Sequence, residues 1–211
     1  MISAAQIQSN HEEYVRLIKS LPYPEETIQH FITWLETHTD FFTAPASSRY
    51  HNACEGGLCA HTLNVAKVLG TLVAYKEELN GNWLLVALLH DLSKVNYYEE
   101  TIQNKKVYSE NGSKTDNMGR FDWQAVQGYR VKDPSNRFIY ASHAQTAEYL
   151  ARCFFPLNVE ESCAILHHMG PYDSAVATGD QLSTIFSRHP LATLLHTADF
   201  IATHVLESDI E

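Results

Sequence analysis

Leu84 to Val95 reads LLVALLHDLSKV. An apolar run ends in two adjacent ionisable residues, His90 and Asp91, and Lys94 follows four residues after His90. Apolar helices rarely hold such a doublet unless something pairs with it. A buried ion pair would account for the doublet in part. A divalent metal accounts for both residues at once, since neutral imidazole and carboxylate are the usual ligands of zinc, iron and manganese. His61 lies upstream, and His143, His167, His168 and Asp199 lie downstream, each on or beside a predicted helix. Together they read as a metal site assembled from several helices of one bundle.

The chain has twelve histidines, and most have an ordinary reading. His11, His30, His38, His189 and His204 stand beside polar residues, as exposed or capping histidines do. His61 stands in GGLCAHTLNVAKVL, on the first turns of a helix whose other face is Leu58, Leu63, Val65 and Val68. Gly56 and Gly57 just before it allow close backbone approach. Taken alone, His61 reads more readily as a core histidine than as a ligand. Asp199, in LLHTADFIATHV, is another acid inside an apolar helix, and His196 precedes it by three residues on the same face. His196 reads either as a partner of that site or as core.

The elements that must position these residues are mainly helical. Asn10 to Leu21 has helical apolar spacing and stops before Pro22. Pro24, Glu25 and Glu26 open a second helix with Ile28, Phe31, Ile32, Trp34 and Leu35 as its buried stripe. Asp40 to Gly57 is a loop. Leu58 to Leu79 reads as one long helix closed by Asn80 and Gly81, and Asn82 to Lys94 as a buried helix. Tyr97 to Tyr140 is different: β-favouring residues surround the turn residues Asn111, Gly112 and Ser113, which predicts one or two β-hairpins. Helices resume over Ser142–Phe154 and over Val159–Met169, with Asn158 as N-cap and Glu161 three residues on. Gly170 and Pro171 stop the latter. Gly179–Ser187 and Pro190–Leu206 complete the set. The fold class is all-α with a small β-hairpin insertion at about 97–140, in a single domain over 1–211 whose first 47 residues supply helices packed on the rest.

Composition narrows the function classes. A length of 211 residues suits one domain with a full core. No run of about 18 apolar residues occurs, so no membrane span is expected. The N-terminus lacks the pattern of a secretory signal, and Cys54, Cys59, Cys153 and Cys163 form no CxxC pair, so free thiols in a cytoplasmic protein are expected. The net charge of −10 disfavours long nucleic acid as a partner. A small phosphorylated substrate fits, because bound metal supplies positive charge locally. Seven of the fifteen Lys and Arg residues (Lys105, Lys106, Lys114, Arg120, Arg130, Lys132 and Arg137) fall between Tyr97 and Ser142. They form either a solvated surface or a lid that contacts phosphates. A homo-oligomer is compatible with the sequence, which carries no clear signature of one.

The order His61, then His90-Asp91, then Asp199 resembles the HD-domain superfamily of metal-dependent phosphohydrolases. The resemblance runs over roughly residues 48 to 206. YHNACEGGLCAHTLNVA is similar to the GGL-x-x-HT opening of the branch that includes bacterial exoribonucleases and relaxase-associated HD domains, and HDLSK is similar to the HDxxK signature. Two-metal members insert two more histidines between the doublet and the last Asp. His143, in ASHAQTAEYL, fits the first of these. His168, in ILHHMGPYD, fits the second better than His167, which becomes a supporting residue or substrate contact. The resemblance implies two divalent ions (Fe, Mn, Zn, Ni or Mg), with Asp91 between them, His61, His90 and Asp199 on one, and His143 and His168 on the other. The cyclic-di-GMP-degrading branch is set aside: its Glu four residues before the first His is Gly57 here, and its GYP motif is missing.

The implied chemistry is attack of a metal-bound hydroxide on the phosphoester of a nucleotide or a related small substrate. Asp91 and Lys94 are the catalytic candidates, with Lys94 stabilising phosphoryl charge; a helix-end cation favoured by the helix dipole is the plain alternative for Lys94. His51, Arg49, Asn52, Tyr172 and Asp173 are candidates for the pocket mouth, and Arg130, Lys132 and Arg137 for substrate phosphate. Two other classes compete: a di-iron HD-fold oxygenase with the same ligand order, and a nucleotide-binding HD-like regulator.

Overall fold

The computed structural model describes residues 2–173 and 179–208. Among these residues the chain forms eight α-helices and one three-stranded antiparallel sheet. The mainly helical reading with a small β insertion agrees with this.

Helix α1 (Ala4–Lys19) starts six residues earlier than apolar spacing predicts. Its first turns are Ala and Gln, good helix formers that carry no buried stripe, and the Ser3 side chain caps it by accepting from the Gln6 amide. Helix α2 (Glu25–His38) begins after Pro24 and buries Ile28, Phe31, Ile32 and Leu35. Phe31 packs edge-on to Phe154 and Phe155, each at 5.1 Å between ring centroids. The Tyr14 hydroxyl of α1 donates to the Leu88 carbonyl at 2.9 Å, which ties the N-terminal helices to the centre of the bundle.

Helix α3 (Gly57–Leu72) enters through a tight crossing. Gly56 has a φ of +75°, and a Cβ on Gly57 would lie 2.0 Å from the Asn52 carbonyl oxygen, so only glycine fits there. The helix ends earlier than Leu79, passing into a 3-10 turn at Val73–Tyr75. The apolar stripe stops at Leu69, beyond which Lys76, Glu77 and Glu78 are exposed and offer no face to bury. By length and mean hydropathy (1.3), Gly57–Tyr75 meets the requirement for a membrane span. Its apolar side is core, with Leu58, Val65 and Leu69 fully buried against neighbouring helices.

Helix α4 (Trp83–Leu89) is capped by Asn82, whose side chain accepts from the Leu85 amide, and is buried nearly all round. It is shorter than predicted: the α-helix breaks at His90, and Leu92–Lys94 form a 3-10 turn. Asn96 then takes a left-handed conformation, φ +54°, held by hydrogen bonds from its amide to Asp40 and from its side chain to the His38 carbonyl. That turn sends the chain into β1 (Tyr98–Tyr108), which pairs with β3 (Gly119–Val131); β2 (Lys114–Asp116) adds to β3 at the far end. The insertion is therefore a long β1–β3 ribbon, with Tyr98 opposite Val131 and Tyr108 opposite Phe121, whose tip carries the short β2–β3 hairpin.

Helices α5 (His143–Arg152) and α6 (Val159–His167) each start with a capping box, Ser142 with Gln145 and Asn158 with Glu161. Helix α7 (Gly179–Arg188) packs on α8 (Pro190–Ile201), which widens into a π-helical turn over Ala202–Leu206. Helix α8 packs against α3, α4 and α6, and α5 packs against α6 and the 3-10 turn after α4. The ends of these helices meet where the chemistry-bearing residues stand.

Candidate metal centre

Each candidate ligand sits at a helix end or on an inward helix face. His61 is on the second turn of α3, His90 and Asp91 are at the break after α4, and His143 is the first residue of α5. His168 is the C-cap of α6, and Asp199 is near the end of α8. His61, His90, Asp91 and His168 are all buried.

Their donor atoms form two groups that could hold metal: His61, His90 and Asp199, and Asp91, His143 and His168. Asp91 lies between them. Its Oδ2 is 3.5 Å from His61 Nε2 and 3.6 Å from His90 Nε2. Its Oδ1 is 2.9 Å from His143 Nε2 and 3.7 Å from His168 Nε2. Asp199 Oδ1 is 3.2 Å from His61 Nε2. All six residues that sequence reasoning proposed as ligands are thus brought together.

The rings are oriented from behind. His90 Nδ1–H donates to the Ala87 carbonyl at 2.8 Å, and His168 Nδ1–H donates to the Ile165 carbonyl at 2.7 Å. A carbonyl can only accept, so in the neutral ring Nε2 is left as a bare lone pair. Burial pushes the His90 pKa down, and it pushes that of His168, helped by the charges of His90 and His143, down to about 3. Both rings therefore present unprotonated Nε2 atoms to carboxylates. Behind His143, Ser93 Oγ lies 2.7 Å from Nδ1. Behind His168, His196 Nδ1–H donates to the backbone carbonyl at 2.7 Å, so His196 supports the cluster without facing it. Gly170 makes room for that ring: a Cβ there would lie 2.6 Å from His196 Cε1.

His90 Nε2, His168 Nε2 and Asp91 Oδ2 are buried and have no hydrogen-bond partner. Lys94 Nζ pairs with Asp91 Oδ2 at 2.7 Å. Each buried polar atom left without a hydrogen bond costs about 1–3 kcal/mol, and two imidazole nitrogens converging on one carboxylate call for a common partner. A divalent cation is such a partner, and imidazole with carboxylate is its usual donor set. These residues fit a metal centre.

The charges point the same way. Burial would raise the Asp91 pKa, but the Lys94 charge and the hydrogen bond to His143 hold it well below the usual carboxylate range. Burial opposes the Asp199 carboxylate as well, and the His61 ring outweighs it, so Asp199 stays ionised. For His61, burial pulls the pKa down while Asp199 and Glu207 carry it up to about 10. Asp199 at Nε2 and Glu207 at Nδ1 thus surround the ring with negative charge.

Other sequence candidates are placed less centrally. His167 points away from the cluster, into a groove with Gln145, Leu166, Asp180, Gln181, Thr184 and Ile185. His51 stacks beside His61 at 4.8 Å between ring centroids, and its Nε2 is buried without a partner. Arg130 is exposed and paired with Glu99. The Lys132 amide donates to the Tyr97 carbonyl. Arg137 lies over the Tyr97 ring at 4.6 Å and keeps a buried Nε without a hydrogen bond. Tyr98, at the base of the ribbon, stands close enough to Lys94 to feel its charge. Ser93 and Glu207 are contributors that sequence reasoning misses. Ser93 sits inside the HDLSK motif, where its hydroxyl is a signal in itself. Glu207 lies in an acidic C-terminal stretch that reads as solvated.

Comparison with known protein families, curated proteins and solved structures gives no match for this chain.

Proposed function

We propose that this chain is an HD-type, metal-dependent phosphohydrolase that cleaves a phosphoester of a nucleotide or a related small phosphorylated substrate. The observation that carries this reading is the convergence of His90 Nε2 and His168 Nε2, buried and without a hydrogen bond, on the Asp91 carboxylate, which Lys94 also pairs. In this reading His61, His90 and Asp199 would hold one ion and His143 and His168 a second, with the Asp91 carboxylate between the two groups. Divalent cations held there supply Lewis acidity, which acidifies water and neutralises phosphate charge near neutral pH.

The chain's own groups do the rest. The Ala87 and Ile165 carbonyls and the Ser93 hydroxyl fix the ring orientations of His90, His168 and His143, so the donors need little reorganisation when the site is loaded. Lys94 is kept protonated by Asp91 against the pull of burial. It supplies a fixed positive charge beside the donor atoms, where charge on a phosphoryl group is neutralised. Arg137, stacked on Tyr97 with an Nε that makes no hydrogen bond, is the residue we assign to a substrate phosphate further out.

The test is turnover by protein reconstituted separately with Mn, Fe, Zn, Ni and Mg, against a panel of nucleoside monophosphates, cyclic nucleotides and short oligonucleotides. Release of phosphate or nucleoside with at least one metal is expected. Absence of turnover with every metal, together with oxygen uptake by the iron form, would replace this reading with an oxygenase. Tight nucleotide binding without turnover would replace it with a regulator.

A further inference from the structure

Glu207 has no obvious place in a metal site when the chain is read as sequence. In the fold it is buried behind His61, with both carboxylate oxygens on the ring: Oε2 at 3.0 Å and Oε1 at 3.2 Å from Nδ1. Asn64, three residues after His61 on α3, donates its side-chain amide to Glu207 Oε1 at 2.8 Å. The side chains of His61 and Glu207 are 1% and 2% exposed, so the contact is screened from water.

The backbone explains how Glu207 reaches this place. In an unbroken α-helix a residue eight positions after Asp199 would lie about 80° round the axis from it. Helix α8 instead widens over Ala202–Leu206, and the Glu207 amide donates to the Ala202 carbonyl five residues back at 3.0 Å. The wide turn takes back part of that rotation. As a result Asp199 and Glu207, from one helix, grip opposite nitrogens of one imidazole: Asp199 at Nε2 and Glu207 at Nδ1. Single π-helical turns of this kind tend to occur at functional sites.

The partners of the other rings set His61 apart. His90 and His168 rest on neutral backbone carbonyls, and His143 rests on a serine hydroxyl. Of the four proposed ligand rings, His61 is the one backed by a carboxylate. A carboxylate behind an imidazole fixes its tautomer and raises the donor strength of the far nitrogen.

We infer that Glu207 is the positioning residue of the centre: it holds His61 with Nδ1–H toward itself and the Nε2 lone pair toward the metal, making His61 the strongest imidazole donor of the set. The inference rests on the metal-centre reading of the previous subsection. It makes the π-helical turn at the end of α8 a working part of the site.

The test compares wild type, Glu207→Gln and Glu207→Ala in Mn²⁺ affinity, by competition with a chromogenic chelator, and in the visible absorption of the Co²⁺ forms. Glu207→Ala should bind about 10–100-fold more weakly, with the same number of ions per chain at saturation and an altered Co²⁺ spectrum. Glu207→Gln keeps an acceptor for Nδ1–H without the charge, so it should fall between the two. Affinity in Glu207→Gln equal to wild type would overturn the inference, and that comparison stands even where the alanine variant does not fold. Loss of one whole ion from either variant at saturation would also overturn it, by making Glu207 a ligand, a role that His51 and His61 stand close enough to share. A wild type that binds no ion fails the metal-centre reading itself, whereas a wild type that binds ions beside unaffected variants fails only the role of Glu207.

Discussion

The His–Asp cluster and the β-ribbon lie side by side in the chain, with Val95, Asn96 and Tyr97 between Lys94 and β1. They handle polar and apolar groups in opposite ways. The cluster buries ionisable side chains deep in a helical bundle and leaves three of their atoms without a hydrogen bond. The ribbon leaves apolar side chains in water: Ile102 is 71% exposed and Trp123 49%. On its even-numbered β1 face, Tyr98, Ile102, Lys106 and Tyr108 stand opposite Val131, Gln127, Trp123 and Phe121, and Lys106 lies over the Phe121 ring at 4.4 Å. Burying charge is costly and needs a compensating partner, whereas scattered exposed apolar groups are ordinary. The cluster is therefore the part of the molecule that asks for a chemical explanation.

The ribbon also bears on the idea of a phosphate-contacting lid. At about 3.3 Å per residue, Lys106 stands on the order of 26 Å along the strand from Tyr98. Lys106 is paired with Asp116, and Arg120 donates to the Gly112 carbonyl. Lys105, Lys106, Lys114 and Arg120 belong to the outer ribbon, whereas Tyr98 at its base lies near Lys94 and Asp91.

The contrast can be broken in graded steps. Asp91→Ala removes the carboxylate that lies between the two donor groups; metal-dependent turnover should fall by about 10²–10³-fold or more, and metal content should fall with it. Unchanged turnover would mean that Asp91 is only an internal counter-charge. Lys94→Met should lower turnover about 10²-fold with metal content retained, and a concurrent loss of metal would make Lys94 structural. In urea unfolding, Leu88→Ala, a fully packed position, should cost about 2–5 kcal/mol, while Ile102→Ala on the ribbon should change stability by no more than about 0.5 kcal/mol. Comparable losses at both positions would show that the ribbon is packed in solution.

The smallest effect is at the ribbon tip. The Asp116 pKa is lowered to about 2, first by Lys106 and then by the Met118 amide, from an ordinary 3.8. A folded value below the unfolded one means that the ionised carboxylate favours the paired tip. The contribution is whole above the unfolded value and is lost as pH falls through 2. The Asp116 carboxyl carbon in NMR should titrate at that low value. Titration near 3.8 would mean that the tip pair does not form.

Local chemistry is what the sequence makes legible. The caps at Ser142 and Asn158 and the stops at Pro22 and Gly170 are written in a few adjacent residues, and the ligand set stands out as ionisable residues in apolar surroundings. What escapes depends on distance. The start of α1 has no apolar period to betray it. The early end of α3 follows from where its buried face stops, whereas the α-helix breaks at His90 although His90, Asp91 and Leu92 all stay buried. Glu207 reaches His61 across 146 positions of sequence, through a π-helical turn that no local pattern announces. His167 and His168 are alike in sequence; the capped end of α6 separates them by sending one into the cluster and the other toward α7.

The measurement that bears most directly on the central claim is metal content by elemental mass spectrometry, on wild type and His143→Ala loaded in parallel. Two donor groups joined by Asp91 predict about two ions per chain, falling to about one in the variant. A wild type that retains no ion after loading would contradict the account, and one ion in both proteins would contradict the division into two groups.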